Sequence, residues 1–273
     1  MADRNSVEII VTGDEVLNGD VADTNSTYLI QGITSLGGYV TRVVIVRDNM
    51  ESIKMELDRS IKNNAKIIIT VGGLGPTPDD LTLKSIAYTL KRALEVNEQA
   101  REFIKERYET MAKNKVLEDA TLTDSRIKMA TLPRGSVPLE NPVGTAPPVL
   151  TMVDSTMILS LPGVPAELKA IFEKILKPIL INEFGTRVFT EKVLVLSKRD
   201  ESRISGVLKY LSETYKDMYF KSRSQIFGNE RKLTLTIAIR GDNLEETSIK
   251  INNVLNDIKE RLLEVEVNIE QII

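Results

Sequence analysis

KIIITVGGLGPTPDDLT occupies residues 66–82, and how this stretch is read decides the fold. Lys66 to Val71 is a short β-branched run stopped by two glycines, which predicts a buried strand. Gly72, Gly73 and Gly75 allow positive φ and let the backbone approach a ligand with no Cβ in the way. Asp79 and Asp80 fall where a helix begins, and Leu83, Ile86, Ala87 and Leu90 follow at helical spacing. In an open α/β sheet, a strand-end loop of this kind is where ligands bind, with N–H groups and the helix dipole facing an anion. Two aspartates beside such a pocket repel a phosphate unless an oxygen-ligated cation lies between them. A strand–turn–helix joint with an acidic N-cap also occurs as plain structure. Glycines and prolines packed around adjacent acids fix one loop shape beyond what capping needs, which favours function.

Upstream, Val7–Thr12 reads as a strand ending at Gly13, and Asp23, Thr24, Asn25 and Ser26 offer N-caps to a helix over about 26–36. Val40–Val46 is a second strand, ending at Arg47–Asp48–Asn49. Ile53, Leu57 and Ile61 mark one helix face. With the 66–71 strand this gives βαβαβ, the order of a parallel sheet with crossover helices. Downstream come helices over about 81–90 and 97–111, then a polar connection over 113–123. The segments 132–135 and 141–148 read as turns without strand or helix character. Val149–Val153 and Met157–Leu161 form two strands around an Asp154–Ser155 turn, and a helix over 166–180 follows. Residues 182–186 read as a linker. Beyond them the pattern is strand, helix, two strands, helix and strand, which predicts a small α+β domain. The expectation is an α/β domain over residues 1–178 and a smaller domain over 186–273.

At 273 residues, 42% hydrophobic, the chain is long enough for one or two cores. No apolar run is long enough to span a membrane, and the N-terminus has no apolar signal core. Net charge is −3, so no basic field advertises nucleic-acid binding. There are no cysteines and no histidines. Their absence removes thiolate nucleophiles, cysteine- or histidine-ligated metal and imidazole bases together. Any catalysis rests on carboxylates, Lys, Arg, hydroxyls, backbone amides or an oxygen-ligated metal. A cytoplasmic location is the expectation.

Four motifs occur in order: VTGDEVLNGDVADTNSTYL (11–29), ITVGGLGPTPDDLT (69–82), NPVGTAP (141–147) and LPGVPAE (161–167). Together they resemble the CinA family (competence/damage-inducible protein A), in its N-terminal molybdopterin-binding-like domain. The resemblance implies a three-layer fold with a mostly parallel sheet over roughly residues 6–175. The second domain resembles the KH-like module of CinA proteins by pattern alone. The sequence stops before the C-terminal nicotinamide-nucleotide amidase domain of full-length bacterial members. Pro148 stands where the family usually has glycine, which removes one amide from any ligand contact. The resemblance implies metal-dependent pyrophosphatase activity on ADP-ribose-like nucleotides, with Mg²⁺, Mn²⁺ or Co²⁺. Its alternative is a protein that binds molybdopterin or a pterin phosphate, or transfers an adenylyl group, without hydrolysis. Either way the partner is a small nucleotide or pterin ligand, with no nucleic acid and no membrane, in a homo-oligomer with a dimer favoured.

Asp80 resembles the metal-coordinating aspartate that follows the glycine loop in the adenylyltransferase relatives, against the alternative of a helix cap worth about 0.5–2 kcal/mol. Asp79 is its neighbour, and only one of the two need point inward. Asp14 and Glu15 follow the first strand and can share the carboxyl edge of a parallel sheet with Asp80. Asp48 resembles the second acidic position of the adenylyltransferases and could equally cap the 53–61 helix. The expected catalytic groups are Asp80, Asp48 and Glu15, and the expected metal ligands Asp80, Asp79 and Asp14. Ligand contacts are expected from Thr12, Gly13, Asn25, Gly72, Gly73, Gly75, Asn141, Gly144, Thr145, Pro162, Gly163 and Glu167. Lys169, Lys198 and Arg199 are available to balance phosphate charge, but no spacing selects among them. Lys221–Arg223 and Arg231–Lys232 read as solvated strand ends, since the KH-type GxxG loop is missing.

Overall fold

A computed structural model describes residues 5–185, 188–227 and 230–273. It divides into two compact units, Met1–Thr34 with Gly38–Phe184, and Ser35–Gly37 with Gly185–Ile273.

The first unit is built on strands β1 (Ser6–Thr12), β2 (Tyr39–Val46) and β3 (Ile67–Val71), with helices α1 (Asp14–Leu17), α2 (Thr24–Ser35) and α3 (Met50–Lys62) between them. Helix α4 (Thr82–Thr89) follows the glycine loop. Next come β4 (Leu94–Val96), α5 (Glu98–Lys113), α6 (Asp124–Lys128), β5 (Thr131–Pro133) and β6 (Val137–Pro138). The hairpin β7 (Val149–Val153) and β8 (Thr156–Leu161) leads into α7 (Pro165–Ile171) and α8 (Lys177–Phe184), joined by one π-helical turn. Six strands form one sheet in the order β2-β1-β3-β8-β7-β6. The first four run parallel; β7 runs antiparallel to β8, and β6 antiparallel to β7, back in the direction of the first four.

Side chains alternate across the sheet. Ile10, Ile68 and Ile158 meet Ile53 and Leu57 of α3, Ile86 of α4 and Ile104 of α5 in one core. Ile9, Ile67 and Ile69 point the other way, the side of the buried Leu29, Ile33, Leu168 and Leu180 on α2, α7 and α8. The result is helix, sheet, helix: a three-layer α/β domain with a mostly parallel sheet.

Register decides what that sheet positions. Thr12 pairs with Val46, Val11 with Val71, and Val71 with Leu161. Four strands therefore end level, and Gly13, Asp48, Gly72 and Pro162 leave the sheet along one edge.

The expected turn segment around 132–135 contains strand β5, which pairs antiparallel with β4, and β6 sits just beyond it. Two or three residues are too few for period-two alternation to register. Helix α8 continues through Asn182 to Phe184, where a linker was expected; Thr186 of that linker lies outside the described residues. Pro148 is buried, and its carbonyl accepts from Leu139 N at 2.7 Å.

The second unit has strands β9 (Val188–Leu196), β10 (Met218–Phe227), β11 (Glu230–Gly241) and β12 (Ile269–Ile272), with helices α9 (Ser205–Thr214) and α10 (Leu244–Glu264). The sheet is antiparallel throughout, in the order β10-β11-β9-β12. Leu233, Leu235, Ile237 and Ile239 of one β11 face share a core with Val207 and Leu211 of α9 and Ile251, Leu255 and Ile258 of α10. It is a smaller α+β domain with both helices against one sheet face. No helix among the described residues is long and apolar enough to cross a membrane.

Candidate functional site

The four level strand ends surround a cleft of about 460 Å³. Thr12, Gly13 and Glu15 line it from the end of β1, and Asp48 from the end of β2. Gly72, Gly73, Gly75, Asp79 and Asp80 contribute from the β3 loop, and Pro162, Gly163 and Glu167 from the β8 loop. Thr145 reaches in from the 141–147 segment, and Leu74, Pro76, Met129, Ala146 and Val164 complete the walls. Glu15, Asp48, Asp79, Asp80 and Glu167 thus share one cleft that no lysine or arginine lines. Such a cleft has a strong negative potential, which disfavours a bare phosphate.

The glycine loop is held by short polar contacts. Gly72 and Gly73 sit at φ 97° and 66°. A Cβ on Gly72 would strike the Thr12 carbonyl, and one on Gly73 the Thr82 hydroxyl. Thr82, fully buried, donates its hydroxyl to Gly72 O at 2.8 Å, and its N–H bonds Gly73 O at 3.2 Å. Gly72 N is used in the sheet, donating to Leu161 O at 2.9 Å, so it is not available to a ligand. The amides of Gly73, Leu74 and Gly75 have no acceptor among the described residues. Successive free amides around a positive-φ residue form a concave anion nest.

Lys128, at the end of α6, closes the far side of this loop. Its ammonium donates to Gly75 O at 3.0 Å, Thr77 O at 2.6 Å and Asp80 O at 2.8 Å. Three donors are thereby spent on three carbonyls. Desolvation holds Lys128 below the usual lysine range, against the opposing pull of the Asp80 and Asp79 carboxylates. The sequence carried no signal for Lys128, because it comes from a separate helix with no fixed spacing to the loop. Thr82 was visible only as the last letter of the run.

Asp80 does not cap α4; the N-cap position is Leu81 and no side chain serves it. Asp80 Oδ2 instead accepts from Thr77 N at 2.8 Å and Thr77 Oγ1 at 2.6 Å. Only one carboxylate oxygen is committed, and the residue still lines the cleft. Asp14 and Asp48 exchange backbone bonds: Asp14 N donates to Asp48 Oδ2 at 2.8 Å, and Asp48 N to Asp14 Oδ1 at 3.1 Å. The cap of α3 is Asn49, not Asp48. Burial pushes the Asp48 carboxyl above its usual range, and the charges of Asp14, Glu15 and Asp79 add to that. The N–H of Asp14 works the other way.

Asp14, Asn25, Asn141 and Gly144 do not line the cleft but hold residues that do. Asn25 Nδ2 donates to Gly163 O at 2.7 Å, while Asp23 caps α2 through Ser26 N. Asn141 Nδ2 donates to Glu167 Oε2 at 2.8 Å, and its Oδ1 accepts from Gly144 N at 2.7 Å. A Cβ at Gly144 would overlap the Glu167 carboxylate. The Lys169 ammonium lies 5.6 Å over the Tyr28 ring, not in the cleft.

Whether these residues suit a divalent cation turns on their donors. Among the described residues no three acidic side chains converge as a ready cage. All the cleft's charged donors are carboxylate oxygens, the hard ligands Mg²⁺ prefers. Mg²⁺ is commonly held by one or two carboxylates plus substrate phosphates, with its waters retained. The carboxylate oxygens of Glu15, Asp48, Asp79 and Asp80 are of the donor type that suits such a cation.

A family profile described as probable molybdopterin binding domain matches residues 8–182. The chain belongs to that family. A protein of Sulfurisphaera tokodaii is 36% identical over 256 residues, covering 93% of each chain. One from Pyrococcus horikoshii is 38% identical over 209 residues, 77% of this chain and 80% of its own. Among solved structures, the protein CinA of unknown function from Thermoplasma acidophilum is 33% identical with a TM-score of 0.57, covering 64% of this chain and 98% of that one.

Proposed function

We propose that the cleft binds the phosphoanhydride of an ADP-ribose-like nucleotide and hydrolyses it with a divalent cation. The observation that carries this reading is the row of unpartnered Gly73, Leu74 and Gly75 amides beside five carboxylates in one cleft. Neutral donors bind phosphate oxygens; carboxylates alone repel them, so the pairing makes sense for a ligand that brings a cation.

In this reading water attacks one phosphorus, the bridging P–O bond breaks, and AMP and a sugar phosphate leave. The three amides orient one phosphate. Asp80 and Asp79 on one rim, and Asp48 and Glu15 on the other, hold the cation. In the absence of histidine, a cleft carboxylate such as Asp48 would take the proton from the attacking water. When bound, the cation supplies charge neutralisation and lowers the pKa of water, a role no histidine here can take. A pterin phosphate bound without turnover is the second reading, favoured by the family description itself.

The test is a screen of ADP-ribose, FAD and NAD with Mg²⁺, Mn²⁺ or Co²⁺, followed by Asp80→Asn. The substitution removes charge and almost no volume. Turnover should fall by orders of magnitude with the melting temperature nearly unchanged. An unfolded variant would assign Asp80 to structure. Wild-type protein that hydrolyses none of the three with any of the metals, yet binds a pterin phosphate tightly, sinks the hydrolase reading in favour of the second.

A further inference from the structure

A second, smaller cavity of about 150 Å³ lies between α5 and the 140–147 segment. Phe103, Arg107 and Thr110 line it from the helix, and Asn141, Gly144 and Thr145 from the segment opposite. Its size is well under the ~300–1,000 Å³ of sites that take a whole drug-sized ligand, so it suits a substituent. Most of its lining surface is polar, which sets it apart from an ordinary packing defect.

Arg107 is the unusual member. Its Nε is buried and has no hydrogen-bond acceptor among the described residues. Arg47, Arg126 and Arg134 in the same unit each have a carboxylate partner. Among the described residues Arg107 has none, although Glu106 and Glu140 also line the cavity. Burying a donor of a permanent cation without an acceptor costs free energy that a bound oxyanion would recover.

The cavity adjoins the cleft. Thr145 lines both, and the Asn141–Glu167 hydrogen bond stands between them. The cleft itself is lined by carboxylates and by no lysine or arginine, so a phosphate carried in addition to the phosphoanhydride has reason to turn this way.

We propose that this cavity is an anion subsite in which Arg107 takes a phosphate monoester, one that a ligand carries in addition to the phosphoanhydride in the cleft, so that a nucleotide phosphorylated beyond its diphosphate, and not ADP-ribose itself, would fill both. The guanidinium fork matches phosphate geometry through two parallel N–H donors. Thr145 supplies a neutral hydroxyl beside it, while Thr110 and Asn141 shape the wall with their donors spent on Glu106 O, Ala146 O and Glu167 Oε2. The subsite itself is independent of any turnover; only its link to the cleft rests on the function proposed above.

The experiment titrates inorganic phosphate, and separately ribose 5-phosphate, into metal-free full-length protein, read by calorimetry and ³¹P line broadening. No nucleotide and no metal are present, so the result stands apart from success or failure of the hydrolysis screen. Arg107→Gln should weaken phosphate binding at least about tenfold, the loss of a charge-assisted pair, with an unchanged melting temperature. Arg107→Lys keeps the charge but not the fork and should recover only part of the affinity. Tighter binding of ribose 5-phosphate than of phosphate assigns the anion to the ligand; equal affinity assigns it to free phosphate and overturns the link to the cleft. Saturable phosphate binding that survives Arg107→Gln overturns the subsite. So does a wild-type protein that binds no phosphate, with or without a loss of stability in Arg107→Gln.

Discussion

Two loops leave the same sheet edge carrying adjacent acids, and they are held in opposite ways. The loop after β3, with Asp79 and Asp80, is fixed by donors from elsewhere: the buried Thr82 hydroxyl beneath it and the Lys128 ammonium across its carbonyls. The loop after β1, with Asp14 and Glu15, is fixed by acids themselves, through the exchange of backbone bonds between Asp14 and Asp48. The first arrangement spends positive charge and hydroxyls on the backbone and leaves amides free. The second spends carboxylates on amides and leaves negative charge concentrated. Similar acid pairs therefore build two different rims, one with free amides and one with concentrated carboxylate charge.

This contrast predicts that the β3 loop breaks more easily than the β1 loop. Gly72→Ala should have the largest effect on stability, because φ 97° disfavours any Cβ and that Cβ would meet a carbonyl. Strain of this kind costs about 1–3 kcal/mol, or a fall in Tm on the order of 2–10 °C in a protein of this size. Thermal unfolding checks it. A Gly72→Ala protein with wild-type stability would mean the loop is freer than its contacts indicate.

Lys128→Met should rank second. Three carbonyls lose a charged donor, but the loop is partly open and water replaces some of what is lost. About 1–2 kcal/mol is expected, with weaker binding of any phosphate ligand because the Gly73–Gly75 amides are no longer held in place. Thermal unfolding and a ligand titration read the two separately. Lost stability with unchanged ligand affinity would limit Lys128 to support.

How much of this was legible in the sequence follows from the physics of each piece. Strands β1 to β3 and the hairpin β7–β8 were readable because glycines, prolines and an Asp-Ser turn bound their runs. The convergence of Glu15, Asp48 and Asp80 on one edge followed from the parallel βαβ order alone. Hydrogen-bond roles were not readable. Nothing in local pattern says that Asp80 would fold back on Thr77 rather than cap α4, or that Gly72 would give its amide to Leu161. Lys128 and Arg107 were invisible for a related reason. Each acts across more than thirty residues of sequence, on loops whose position depends on packing. Asn141 was expected as a ligand contact; that its side chain also braces Gly144 and Glu167 is something only the closed loop reveals.

The smallest expected effect, Asp48→Asn, has the opposite sign and probes the β1 rim directly. The Asp48 carboxyl lies above its usual range in the folded protein, so the folded state binds this proton more tightly than the unfolded chain does. Stability then falls as pH rises from the ordinary aspartate value near 3.8 through the raised one, because there the unfolded chain holds fewer protons. Above that window the wild-type protein carries the whole penalty of a charged, partly desolvated carboxylate beside Asp14, Glu15 and Asp79. Asparagine removes the charge and keeps an oxygen for Asp14 N. Asp48→Asn should therefore be slightly more stable than wild type at pH 7, with the gain shrinking as pH falls through the window and gone below about pH 3.8. Urea unfolding midpoints across pH 3.5–7.5 (about half-unit steps) measure it. Mg²⁺ at neutral pH should raise the wild-type midpoint and not the variant's if Asp48 helps hold the cation. A variant that is less stable than wild type at every pH would mean that Asp48 earns its place through a charge-dependent bond to Asp14 N, and the two rims would then differ less than their contacts suggest.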